Sequence, residues 1–461
     1  MKFYLILSFF FIVKITQAVT YSGVVKNQKN NEVIIGCVVY LKGVPSISTS
    51  TDINGFYTID VGQHEDTLVF LSMSFKPREY SISPSSKDIV LNVSLNKEEV
   101  GIDLVEINEL KNENTKSVDM STIELDMKDV KKLPAFMGEV DVLKTIQLMP
   151  GVQSGGEGNS GFYVRGGGPD QNLILLDGAT VYNASHLFGF FSVFNADAIK
   201  NIKLTKGGMP ANFGGRLSSI LEVNMNEGNL KKMEYDGGIG LIASRFTIQG
   251  PLKKDTSSFL ISARRTYIDL LTKPFISKES YYNGSGYFFY DLNAKVNYKF
   301  SDKDHLFLSG YYGKDEFKFA DSRAGFKAEI PWSNGTSALS WKHIFNEKLF
   351  LNTALTLSDY KFKFGATQSE FDFSLYSGVR DYSSKVVFSY LPNKNHKIKF
   401  GGDYTYHIFI PNNASAKSGD VEFDLGGVVK QYAQENSVYI LDEFGIGKRW
   451  KFNLGLRLGS F

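Results

Sequence analysis

The chain has 461 residues, and its 51 Lys+Arg nearly balance its 49 Asp+Glu. A formal net charge of +2 excludes nucleic-acid binding through a broadly basic surface, and the length suits about three domains. Aromatic residues make up 14% and 43 Gly outnumber 12 Pro, which favours strands joined by glycine turns over a helical bundle.

Residues 1–18 have the form of a secretory signal peptide: Lys2, an apolar stretch over 3–13, and the small Ala18 at a cleavage point. Residues 19–98 read as a β-sandwich, with strand-like runs at 20–25, 33–41, 56–61, 67–74 and 89–95 separated by turn residues. The single cysteine, Cys37, lies in the apolar run 33–41. It has no partner for an internal disulfide and is predicted to be a small buried side chain. Asp52-Ile53-Asn54-Gly55 begins like a calcium loop, but Gly comes fourth rather than sixth, and Gln63 stands where such a loop needs Glu. A turn with Gly55 at positive φ fits better.

Residues 99–120 have the polar, charged composition of a linker. One apolar island in it, Leu104, Val105, Glu106 and Ile107, can add as a strand to another sheet. From 121 to 228 the pattern is α/β: a helix over 141–149 ended by Pro150-Gly151, strands at 162–165, 173–177, 199–205 and 219–224, and glycine turns at 166–168, 207–208 and 214–215. In FYVRGGGPDQNLILLDG (162–178), Gly166 and Gly167 let the backbone turn tightly after Arg165, and Asp177-Gly178 closes the next strand.

Residues 156–161 fit G-x-G-x-x-G letter for letter. A dinucleotide site needs a strand before that motif and a helix after it. Here a helix and Pro150 precede and a strand follows, so a loop is expected. The chain has no phosphate-binding P-loop, no H-E-x-x-H zinc motif and no nucleophile elbow, and its six histidines are scattered without ligand spacing. No enzyme activity, cofactor or metal site is expected. His186 and Phe188 lie on the most aromatic loop of the middle segment and are candidates for ligand contact.

From about residue 233 the period becomes two. Tyr290, Leu292, Ala294, Val296, Tyr298 and Phe300 alternate with Asp291, Asn293, Lys295, Asn297 and Lys299. Ten candidate strands follow between 235 and 461. Short connections at 301–304, 346–348, 392–395 and 445–449 alternate with long ones at 268–285, 314–335, 364–380 and 411–433, as short periplasmic turns and long outer loops do in a transmembrane β-barrel. One strand face meets lipid and the other a wet lumen, while closure removes edges that lipid cannot solvate. A barrel of about ten strands is filled by its own side chains, whereas one of roughly 22 can hold a plug. The chain is therefore expected to be a truncated piece, with the remainder of a 22-stranded barrel missing.

Five stretches carry a family resemblance: LMPGV (148–152), FYVRGG (162–167), LLDG (175–178), IKNIKLTKG (199–207) and FGGRLSSI (213–220). In this order they resemble the plug domain of TonB-dependent outer-membrane receptors, and 19–98 resembles the carboxypeptidase-regulatory-like domain often placed ahead of such plugs. The resemblance implies a mainly β protein: signal peptide 1–18, β-sandwich 19–98, linker 99–120, α/β plug 121–228, and the first part of an antiparallel transmembrane β-barrel over 229–461.

It also implies TonB-dependent import of a scarce nutrient, a siderophore, cobalamin, oligosaccharide or peptide, across the outer membrane. The plug would rearrange at the expense of the inner-membrane proton gradient. The partners would be the TonB-ExbB-ExbD complex, the nutrient and outer-membrane lipid, with a surface lipoprotein as a further candidate and no nucleic acid. Leu104, Val105, Glu106 and Ile107 stand where the TonB box belongs. Arg165, Gly166, Gly167, Asp177, Gly178, Gly207 and Arg216 would form the plug core, the two arginines pairing with carboxylates or carbonyls where plug meets barrel. The alternative is an outer-membrane receptor or adhesin that binds a ligand without importing it.

Overall fold

The computed structural model describes residues 19–97 apart from 46, 53, 62–64, 73–74 and 84–87, and residues 121–461 apart from 134–137, 157–159, 278, 394–395, 424–428 and 447–449. The expected signal peptide, the linker and its apolar island lie outside the described residues. The chain divides into two compact units near residue 103.

The first unit contains β1 (Thr20–Asn27), β2 (Val38–Leu41), β3 (Ser48–Ser50), β4 (Phe56–Asp60), β5 (Asp66–Leu71), β6 (Arg78–Ile82), β7 (Ile89–Val90) and β8 (Val93–Leu95). One sheet has the order β4-β1-β7, with β8 also on β1, and the other β3-β2-β5-β6. Val25, Cys37, Val39, Leu68, Phe70 and Leu95 are fully buried between them. Cys37 is thus a core side chain. The run 33–41 is a strand only in its second half, because Gly36 turns the chain at φ +71°. The run 89–95 splits in two where Gly23 passes it: a Cβ on Gly23 would lie 2.1 Å from the Leu91 carbonyl oxygen. In the 52–55 turn the Asp52 carboxylate accepts from the Asn54 and Phe56 amides at 2.8 and 2.9 Å, and Gly55 takes φ +68°.

The second unit begins with β9 (Thr122–Asp126), α1 (Met127–Val130), α2 (Val142–Gln147), β10 (Val152–Ser154), β11 (Phe162–Val164), β12 (Asn172–Leu176), β13 (Ala179–Thr180), β14 (Ser185–His186), β15 (Phe191–Ser192), β16 (Ile199–Thr205) and β17 (Ser219–Met225). Five of these form a sheet of order β13-β12-β17-β16-β9, in which β12 and β17 run parallel. Asp141 caps α2 by accepting from the Lys144 amide at 3.0 Å, and its other oxygen accepts from the Ser192 amide at 2.7 Å. Val142, Leu143 and Ile146 on the buried face of α2 join Ile202, Leu204, Leu221 and Val223 in one apolar core.

The remaining strands are β18 (Glu234–Ile239), β19 (Ala243–Lys253), β20 (Ser257–Thr266), β21 (Gly286–Lys299), β22 (Asp304–Asp321), β23 (Phe326–Asn346), β24 (Leu349–Gln368), β25 (Phe371–Asn393), β26 (His396–Ser418), β27 (Val421–Phe423), β28 (Gln431–Ile446) and β29 (Trp450–Ser460), with α3 (Ile268–Thr272) between β20 and β21. They form one 12-stranded antiparallel sheet, in which each strand pairs with its predecessor except that β28 pairs with β26 and β27 is a short addition to β26. On β21 burial is inverted relative to a soluble protein. Asp291, Asn293, Lys295 and Asn297 are buried, while Leu292 and Val296 are 47% and 39% exposed. Leu308, Leu339, Leu355, Val438 and Ile440 are exposed likewise, the apolar outer face that a membrane barrel needs. Among the described residues no helix is long and apolar enough to cross a membrane; strands carry that face here.

Two of the four long connections, and the start of a third, are not loops. β22 to β26 run for 18 to 23 residues, beyond the 9–11 or so that cross a bilayer. Most of 314–335 and 364–380, and the start of 411–433, are paired strand. The hairpins close in tight turns, with Gly325, Ser369 and Gly419 at φ +60°, +55° and +57°. The ladder outlasts the hydrophobic band because polar cross-strand pairs maintain it, such as Lys363 with Glu329 at 2.8 Å and Ser374 with Ser415 at 2.8 Å. The fourth connection, 268–285, does leave the sheet and contains α3.

Candidate functional site

The 12-stranded sheet wraps the plug, since side chains from β19 through to β29 reach it. The contact surface is mostly polar. Lys295 on β21 lies 2.9 Å from the Asp177 carboxylate and donates to the Met225 carbonyl at 3.1 Å. Arg245 on β19 pairs with Asp197 at 2.7 Å, and Lys131 of the plug holds the same carboxylate at 2.5 Å. Farther round the sheet, Lys385 donates to the Asn212 carbonyl at 3.0 Å and Arg457 to that of Ala211 at 3.3 Å.

The segment 182–187 is fixed at both ends. Tyr182 donates its hydroxyl to Asp381 on β25. Burial, and then the Asp381 carboxylate, raise the Tyr182 phenol above its ordinary value, so it remains a donor. Asn334 on β23 donates to the Asn183 carbonyl at 2.5 Å. His186 is 1% exposed, with Nε2 2.7 Å from Asp291 and Nδ1 2.6 Å from Asp315. Arg264 on β20 adds a 2.6 Å contact to Asp291 and one of 3.6 Å to Glu139 of the plug. Burial alone lowers the pKa of His186, but Asp291 and Asp315 outweigh it and raise the value to about 9.

Two residues beyond His186, Phe188 is 59% exposed at φ +53°. Its ring lies 4.9 Å from Trp332 and 5.7 Å from Phe317, beside a buried aromatic cluster of Phe191, Tyr287, Phe289 and Trp332. Trp332 Nε1 is buried and has no hydrogen-bond partner among the described residues. The exposed Phe188 ring can stack against a flat group of a ligand. A separate cavity of about 730 Å³ opens among the far ends of β22 to β26, lined by Lys318, Lys327, Lys363 and Lys417 together with Glu329 and Asp372.

The residues singled out from sequence fall into three places. Arg165, Gly166 and Gly207 come together at the start of the plug. Arg165 is exposed, takes φ +49° and donates to Ser121 at 2.5 Å. Its guanidinium covers Gly207, where a Cβ would sit 2.9 Å from Nη1. Gly167 packs on Ser218, whose hydroxyl donates to the Val164 carbonyl at 2.8 Å, so FYVRGG and FGGRLSSI interlock. Arg165 therefore pairs within the plug rather than with the barrel wall. Arg216 donates to the neighbouring Gly215 carbonyl at 2.8 Å. Among the described residues, neither arginine forms an ion pair with a carboxylate.

Asp177 and Gly178 form the tight turn at φ +48° and +90°, and Asp177 also reaches the barrel through Lys295. His186 and Phe188 lie on the same loop, but His186 is buried against carboxylates and only Phe188 is open to a ligand. Leu104, Val105, Glu106 and Ile107 are outside the described residues. Sequence reading missed Glu139, Tyr182, Asp197, Arg264, Asp315 and Asp381. The inward parity of Asp291 and Lys295 on β21 was the one signal of such contacts.

A plug inside an outward-apolar antiparallel sheet defines the class, the fold of an outer-membrane receptor. Residues 112–219 match the family model described as TonB-dependent Receptor Plug Domain, and residues 21–107 the one described as CarboxypepD_reg-like domain. The chain thus carries the plug of the TonB-dependent receptors behind a carboxypeptidase-regulatory-like domain.

Among solved structures it is similar to the outer membrane transporter YddB from Escherichia coli, with TM-score 0.54, 14% identity, and 74% of this chain and 56% of that chain covered. It is also similar to the ferric enterobactin receptor PfeA from Pseudomonas aeruginosa, with TM-score 0.53, 13% identity, and coverages of 76% and 58%. The ferric citrate transporter FecA gives TM-score 0.55, 12% identity, and coverages of 76% and 57%. At these identities the likeness is one of fold. The chain spans 56–58% of the length of these structures. No curated protein matches it.

Proposed function

We propose that this protein imports a scarce nutrient across the outer membrane by TonB-driven movement of its plug. The observation that carries the reading is the ionic seam: the plug meets the barrel through Lys295–Asp177, Arg245–Asp197 and the His186 cluster. Buried pairs of this kind position more than they stabilise, so a plug held by them can shift and have its polar groups rewetted.

In this reading residues 1–18 direct export, the sandwich 19–98 and linker 99–120 are periplasmic, 121–228 is the plug and 229–461 belongs to the barrel, embedded in outer-membrane lipid. Leu104, Val105, Glu106 and Ile107 form the TonB box, to which the TonB-ExbB-ExbD system couples. Arg165, bonded to Ser121 where the linker meets the plug, passes tension from linker to plug core. Phe188, backed by Phe317 and Trp332, forms the surface that meets the nutrient, which is a siderophore, cobalamin, oligosaccharide or peptide. A surface lipoprotein is a candidate accessory.

The test is uptake of labelled iron chelates, cobalamin, glycans and peptides by cells carrying the complete gene, with and without the proton gradient. Gradient-dependent accumulation of one class, lost on deletion of residues 104–107, is expected. Binding without accumulation, indifferent to the gradient, would overturn import.

A further inference from the structure

Both ring nitrogens of His186 face acceptors, Asp291 Oδ1 at 2.7 Å and Asp315 Oδ2 at 2.6 Å. An ionised carboxylate only accepts, and a neutral imidazole has a single N–H. Both contacts are satisfied together only by the imidazolium. The charges around the ring agree with this. From β20, Arg264 contacts Asp291 and Glu139; from β21 and β22, Tyr287 and Tyr311 donate their hydroxyls to Asp315 and Asp291. With His186 charged, three carboxylates face two cations; with it neutral, they face one. Phe289 stacks on the imidazole at 4.1 Å, and Arg264 lies over the same ring at 5.1 Å, an arrangement in which both cations gain from the π-face. Asp315 is shared with the backbone, since the Leu187 amide donates to its other oxygen at 3.1 Å.

We propose that His186 is the positioning residue of the ligand-facing loop: an imidazolium clasp that holds residues 186–190, and with them Phe188, against Asp291 and Asp315, and that opens when its charge is removed. The clasp rests on the reading of Phe188 as the ligand-facing residue and gives that loop a defined latch. A His186 pKa raised to about 9 from 6.5 means that the clasp is fully present below about 6.5 and is lost as pH rises through about 9.

The test is hydrogen exchange of amides 187–191 in the full chain in phosphatidylcholine vesicles, without ligand or TonB, from pH 7 to 10. Rates are corrected for intrinsic base catalysis and referred to amides of β24. Wild-type protection is expected to fall about tenfold per pH unit above about 9. His186→Gln should exchange at least about tenfold faster below about pH 9, with no step, and the wild-type rate should approach it by about pH 10, since the variant lacks one charge-assisted contact. His186→Gln with Asp315→Asn should recover part of the protection, again with no step. A wild-type profile flat to pH 10, or a His186→Gln variant as protected as wild type, overturns the clasp. If His186→Gln does not fold, the wild-type profile decides by itself. Uptake is not read here, so failure of the clasp and failure of the import reading are separate outcomes.

Discussion

Lys295→Met is the most informative perturbation of the seam. Lys295 and Asp177 are 2.9 Å apart with side chains only 8% and 10% exposed. At that distance their attraction is about 6 kcal/mol for an effective dielectric of about 20. Desolvation of two buried ions is of similar size, so the intact pair contributes little net stability. Removing one member is different, because Asp177 then stays buried with only the Met225 amide, 3.0 Å from Oδ1, as a donor. The expected loss is about 3–5 kcal/mol, a rise of roughly 10²- to 5 × 10³-fold in the population with the plug detached from β21. Hydrogen exchange of β12, β13 and β17 amides in lipid vesicles reads that population. Asp177→Asn alone should behave similarly by stranding Lys295. The two together should return to within about 1 kcal/mol of wild type, because coupled partners are not additive. If the double variant shows the sum of the single losses, or Lys295→Met costs under about 1 kcal/mol, the seam is not built on this pair.

Three further outcomes are expected. Phe188→Ala uncovers Trp332, which is 6% exposed, so tryptophan emission should move to longer wavelength; an unchanged spectrum would mean that Phe188 does not cover the indole. Tyr182→Phe removes a hydrogen bond to a buried carboxylate worth about 1.5–3 kcal/mol, and exchange at 182–183 should rise at least tenfold, whereas no change would place the anchor elsewhere. In the sandwich, Gly55→Ala puts a Cβ 2.7 Å from that of Val33 at φ +68°. It should destabilise β1 and β4 by more than about 1 kcal/mol in a denaturant titration followed by exchange, and an unaltered midpoint would show that the turn relaxes freely.

How much of this was legible depended on which force set each feature. The alternation on β21 could be read because solvent on one face and lipid on the other impose a period on the sequence itself. Asp177-Gly178 and Gly55 could be read because positive φ restricts residue choice. The strand ends within 314–335 and 364–380 read as long loops in the sequence because paired strands outside the lipid band need no apolar face. In the sandwich, β3 and β6 were missed because they are edge strands of polar, partly exposed residues. The seam was least legible. His186 meets partners 105 and 129 residues away in sequence, and nothing local to Asp315 or Arg264 marks them as anything but solvated charges. Arg165 shows the reverse error: an arginine beside an apolar strand suggests an interior ion pair, but the interlock of Val164, Gly167 and Ser218 turns it outward.

The inverted burial on β21 has a mechanical consequence. Asp291, Lys295 and Asn297 meet plug groups, and their side chains suit water as well as they suit protein. If the plug withdraws as the proposed import requires, water would replace each lost partner, and the wall left behind would be a hydrophilic conduit rather than a sticky apolar slot that collapses or traps a cargo. On that reading the work of opening would fall mainly on the few ionic fastenings, within reach of a force applied at one end of a chain.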